Sequence, residues 1–114
     1  MRSPEPVHRD DDGELIGLLK GNAAGLFSPC TLFGYPLTEA TAHETATEYL
    51  TNYGLSYLAQ SWEFRDGDQW LTAQIIEATP SAVIVRLIDY GSPDTYGSLR
   101  TLHPPSIEHI RLRR

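Results

Sequence analysis

Three strand-period runs follow one another after Gly54: "LSYLAQSWEF", "QWLTAQIIEA" and "VIVRLIDY", separated only by "RDGD" and "TPSA". Connections this short leave each run no neighbour but an antiparallel one, because a parallel partner needs a crossover of roughly a dozen residues or more. Asp66 and Gly67 have the chemistry of a tight hairpin, and Pro80 pre-sets the next corner. "GSPDTYG" supplies a third turn, a short strand runs through "SLRTL", and "HPP" stops it. Short, strongly twisted strands joined in this way predict a small antiparallel barrel from about Leu55 to Leu112.

The first half reads differently. Residues 1–12 hold two prolines and a block of acids with little to bury, which predicts a flexible leader. Within it "DDDG", Asp10 to Gly13, lacks the later liganding positions and distal glutamate of a calcium loop and reads as a turn. "ELIGLL" and "LFSPCTLFGYPL", joined by "KGNAAG", predict a hairpin. Pro29 lacks a backbone donor, which places its run at a sheet edge or bulge. Cys30 reads as a small buried side chain rather than a nucleophile. In "TEATAHETATEYLTNYG", Thr41 and Glu44 have capping-box spacing and Gly54 supplies the stop. Ala42, Ala46, Tyr49, Leu50 and Tyr53 then form one apolar stripe, with His43 at the surface beside it. The expected fold is α+β and mainly antiparallel: a single domain over 13–114, with a hairpin and one helix in 13–54 and a small β-barrel in 55–114.

A length of 114 residues suits one compact unit, which can bury roughly 65% of its unfolded surface without disulfides or metals. The opening has no apolar stretch of signal-peptide type, and no run is long enough to cross a bilayer, so no membrane association is expected. The lone Cys30 cannot form an internal disulfide, which favours a reducing, cytoplasmic compartment. One lysine beside many arginines and alanines points to a high-GC, bacterial genome. A net charge of −6 opposes nucleic-acid binding, and the basic end "RLRR" reads as a solvated tail. His8, His43, His103 and His109 are scattered, and the sequence has neither a phosphate-cradling glycine loop nor metal-ligand spacing. No enzymatic activity, metal or cofactor is therefore expected.

From about Ala59 to Pro105 the order of pieces is more specific than any one of them. Trp62 precedes an acidic-glycine turn, followed by "WLTAQII", "VIVRLIDYGS" and "LRTLHPP". This resembles the Tudor domains of the SH3-like small-barrel superfamily. The resemblance implies a noncatalytic module that recognises a methylated arginine or lysine between aromatic faces. Carried over by position, Trp62, Trp70 and Tyr90 become walls of such a cage; Leu87 stands where many members have an aromatic, and Ser92 where the family has an asparagine that bonds the guanidinium. The residues themselves leave Trp62 and Trp70 equally suited to packing at the barrel's end. Alternation places Asp89 at the end of the inward row Val83, Val85, Leu87, where it can satisfy donors of the next turn. Tyr90 then faces outward. The expected partner is a protein or peptide, with a docking subunit as the alternative and an RNA- or DNA-binding barrel behind both.

Overall fold

The computed structural model describes residues 4–113, which fall into two compact units, Met1–Tyr57 and Leu58–Arg114. The class is α+β, with antiparallel strands in two sheets and one α-helix. No helix among the described residues is long and apolar enough to cross a membrane.

The first unit is built on a three-stranded sheet in the order β1 (Glu5–His8), β2 (Leu15–Gly21), β3 (Phe27–Cys30). The expected leader is thus in part a strand. Val7 explains why, since it is buried with Ile16 and Leu19 in one apolar cluster. The acids of the "DDDG" turn serve the same end: the Arg9 guanidinium lies 2.9 Å from both Asp12 and Glu14, and Gly13 N–H donates to Arg9 O at 2.7 Å. That pairing holds the Asp12 carboxyl below its usual range, the Arg9 hydrogen bond being the largest cause. The expected hairpin is β2–β3, and Pro29 lies in β3 at the edge of its sheet.

Helix α1 (His43–Tyr53) begins later than the capping box predicts. Thr41 is committed elsewhere: its N–H donates to Phe27 O at 2.8 Å, and its carbonyl accepts from Phe27 N–H at 2.7 Å. Ala42 takes the cap position without a side-chain bond and is exposed, so it does not join the apolar stripe. Gly54 ends the helix at φ 61°, its N–H donating to Leu50 O at 2.7 Å. Ala46 and Leu50 bury against the sheet, where Gly17 leaves them room. A Cβ on Gly17 would lie 2.6 Å from Cys30 O and 2.9 Å from a Leu50 methyl.

The strand expected from Leu55 starts only at Trp62. Residues Ser56–Ala59 form a 3₁₀ turn that buries Tyr57, whose hydroxyl accepts from Leu32 N–H at 2.9 Å. Burial pushes this phenol up to about 12.

The second unit contains β4 (Trp62–Asp66), β5 (Gln69–Ala78), β6 (Val83–Leu87), β7 (Leu99–Leu102) and β8 (Ile110–Leu112), in the order β7-β6-β5-β4-β8. Val83, Val85 and Leu87 form the expected inward row, joined by Phe64, Leu71, Ala73, Ile75 and Ile110. The register of β5 on β6 slips between Ile75 and Glu77, an irregularity of the kind that bends a strand. Arg100 on β7 lies 4.0 Å from Asp66 on β4, although β6 and β5 intervene. Through Val85 the register sets Arg100 level with Ile75, six residues along β5 from Gln69, the partner of Asp66; in a flat sheet that offset and three strand spacings would hold the two backbones roughly 24 Å apart, beyond the reach of both side chains, so the sheet is coiled. Its outer strands are β7 and β8, and no ladder joins them among the described residues.

The "RLRR" end is not a free tail. Ile110–Leu112 is β8, Arg111 bonds Glu63 at 2.8 Å, and Arg113 N–H donates to Ser61 O at 3.0 Å. Arg114 lies outside the described residues.

Candidate functional site

Past Leu87 the chain leaves the β5–β6 ladder but stays tied to β5. Ile88 N–H donates to Thr72 O at 2.9 Å, and Thr72 N–H donates back to Asp89 Oδ2 at 2.9 Å. Asp89 Oδ1 accepts from Gly91 N–H at 2.8 Å. Asp89 thus serves the turn as the strand's alternation predicts. Donation from Thr72 and then from Gly91 stabilises the charged form and lowers the carboxyl's pKa. The turn continues with Ser92 N–H on Asp89 O at 3.1 Å and Thr95 N–H on Ser92 O at 3.2 Å. It closes where Gly97 N–H donates to Leu87 O at 2.7 Å, with Gly97 at φ 85°, a conformation that favours glycine.

This bonded loop carries two exposed rings. Tyr90 is 87% exposed and stacks on Tyr96, with centroids 5.2 Å apart and planes 26° apart. The neighbouring Tyr90 phenol is the main cause raising the Tyr96 phenol above its ordinary range. An exposed aromatic pair of this kind offers a π-face to a cation or to a planar group.

The other residues expected at the site lie elsewhere. Trp62 is fully buried, paired with Ala73 on one side and Leu112 on the other, on the same face as Phe64. Packing has won there over a cage wall, because β4 turns alternate residues into the core. Leu87 is fully buried in the inward row. Trp70 is half-buried, and the Arg111 guanidinium sits 4.0 Å from its ring centroid while bonded to Glu63. One face of Trp70 thus carries the chain's own cation. Ser92 is half-buried, with its hydroxyl 2.9 Å from that of Thr95. Of the expected set, Tyr90 alone is strongly exposed, and the ring that stacks on it is Tyr96, which the Tudor resemblance does not place in the cage. The available signal was the turn itself: Gly91, Pro93 and Gly97 fold the chain back and bring the two tyrosines together.

Cys30 is buried, and burial pushes its thiol up to about 11, with Lys20 acting weakly the other way. His43 pairs with Glu5 at 2.9 Å and meets Phe27 edge-on. Tyr49, Tyr53 and Tyr57 form a nearly parallel ladder, with centroid spacings of 5.4 and 6.5 Å. No group of three or more potential metal-ligating side chains occurs among the described residues. No protein-family model, curated protein or solved structure matches the chain.

Proposed function

We propose that this chain is a noncatalytic module of the Tudor-like small-barrel type that binds a protein or peptide, taking a cationic side chain on the Tyr90–Tyr96 surface. The observation that carries this reading is the exposure of Tyr90, 87%, on a loop fastened by backbone hydrogen bonds at Ile88, Ser92, Thr95, Gly97 and Ser98. A ring exposed on a loop that Asp89 ties to Thr72 and Gly91, and stacked on a second ring, is preorganised for contact. The strand order and the coiling that brings Arg100 to Asp66 support the small-barrel assignment. Trp70 with Arg111 on its face is an internal example of the arginine–aromatic contact proposed for the ligand. A buried, free Cys30 agrees with a reducing, cytoplasmic setting.

Exposed Leu99 and Ile107 favour a second reading, in which the module docks on a larger protein through apolar contacts alone. A titration of the full chain, followed by NMR, separates the two. A dimethylarginine peptide should shift the Tyr90 and Tyr96 resonances with a Kd between micromolar and millimolar, about −8 to −4 kcal/mol, and an unmethylated peptide should bind more weakly. If neither peptide shifts those resonances at millimolar concentration, the cation reading fails and apolar docking is left.

A further inference from the structure

The loop that presents the tyrosines runs directly into β7, and the hydrogen-bond phase of that strand is fixed at both ends of β6. Leu87 N–H donates to Ser98 O at 2.8 Å, so Ser98, Arg100 and Leu102 face β6 with their backbone groups. The Ile88–Thr72 bond sets the same phase from the other side, because it turns the even-numbered residues of β6 toward β5 and leaves the odd-numbered ones for β7. The N–H and C=O groups of Leu99 and Thr101 therefore point off the sheet. Arg100 Nη1 donates to Leu99 O at 3.1 Å, a side chain standing where a strand would otherwise pair.

The remaining outer strands are blunted by proline, by covering chain or by length, whereas at the β7 edge the obstacle is the single side chain of Arg100. β1 contains Pro6, which has no donor. β3 contains Pro29 and is covered by Thr41 and Leu37, whose N–H groups donate to Phe27 O and Pro29 O at 2.8 Å each. β8 is three residues long. β7 has no proline and exposes Leu99 at 53%, three positions after Tyr96. The loop from 88 to 98 carries Asp89 and Asp94 and no lysine or arginine, so the charge beside the rings suits a basic group.

We infer that the partner is an extended peptide that adds as a strand to β7, setting a basic side chain on the Tyr90–Tyr96 stack near Asp94 and an apolar one beside Leu99. This rests on the tyrosine loop being the binding surface and specifies the backbone conformation of what it binds. Main-chain bonds to Leu99 and Thr101 supply register, and the two side-chain contacts supply selectivity.

The test uses the full chain and a capped heptapeptide of alternating valines with one arginine. Two further versions are N-methylated at every second residue, in opposite frames. Amide exchange at Leu99 and Thr101 should slow at least tenfold on binding. One methylated frame should lose at least tenfold in affinity while the other keeps it, because only one frame faces the edge. Shifts at Tyr90 and Tyr96 with unchanged exchange at Leu99 and Thr101, and equal affinity for both frames, would overturn strand addition and leave the tyrosine surface intact. Protection of β7 that is indifferent to Tyr90→Ala would instead overturn the tyrosine surface. Protection that rises with protein concentration alone would identify a second copy as the occupant and overturn the peptide. Absence of binding by every version would overturn both statements.

Discussion

Asp89 shows most directly how single residues position the surface. Its carboxylate satisfies two backbone donors, Thr72 and Gly91, and these lower its pKa. A carboxyl lowered on folding contributes stability that is present above its unfolded value, about 3.9, and is lost as pH falls through the folded value. Acidification below pH 4 should therefore release the loop, seen as faster amide exchange at Thr72 and Gly91, and Asp89→Ala should give the same fast exchange at neutral pH. An unchanged exchange rate in the variant would show that Asp89 does not hold the turn. Tyr57 is a second such residue, buried, with Leu32 N–H on its hydroxyl. Tyr57→Phe leaves that donor without its partner and should cost about 1–3 kcal/mol in urea unfolding. Gly17→Ala should cost a similar amount, about 1–3 kcal/mol, since the added methyl meets Cys30 O, a backbone atom that cannot swing aside.

At the scale of elements, alternation made the second half legible. The turn at Asp66–Gln69, the inward row of β6 and the role of Asp89 all follow from period-two patterning and turn chemistry. Elements that depend on distant partners were not legible. β1 exists because Val7 finds Ile16 and Leu19, and local composition, with its acids and Pro6, conceals that contact. β8 is a three-residue strand beside β4, too short to show a period. Helix α1 is the instructive case, because Thr41 has a good capping side chain but its backbone is bonded to Phe27. Ala42, at φ −57° and ψ 146°, occupies the cap instead. Ala42→Asp should thus stabilise the protein by about 0.5–2 kcal/mol, whereas Thr41→Ala should cost far less than loss of a true cap. Comparing the two denaturation midpoints checks this, and equal destabilisation by both substitutions would return the cap to Thr41. The candidate site was half legible for a related reason: identity of residue marks an aromatic, whereas burial of Trp62 and the approach of Arg111 to Trp70 depend on strand parity and on β8.

For the whole molecule, Met1–Tyr57 holds most of the net negative charge, and Leu58–Arg114 is nearer balance while carrying the Tyr90–Tyr96 surface. For the proposed basic partner the acidic total adds long-range attraction, and salt should slow association more than it speeds release. The C-terminal end is part of the second unit's sheet, so truncation after Ile110 should lower thermal stability by removing most of β8 and the Arg111 contacts with Glu63 and Trp70. A truncated chain melting as the full one does would mean that β8 adds nothing. The central claim is that Tyr90 is held at the surface for binding and not for packing. Calorimetric titration of a dimethylarginine peptide into the full chain and into Tyr90→Ala, with melting curves of both, tests it most directly. The account predicts at least a tenfold loss of affinity, about 1.4 kcal/mol or more, with stability unchanged within about 0.5 kcal/mol. Equal affinity in the two proteins, or a marked fall in stability on removing the ring, would contradict it.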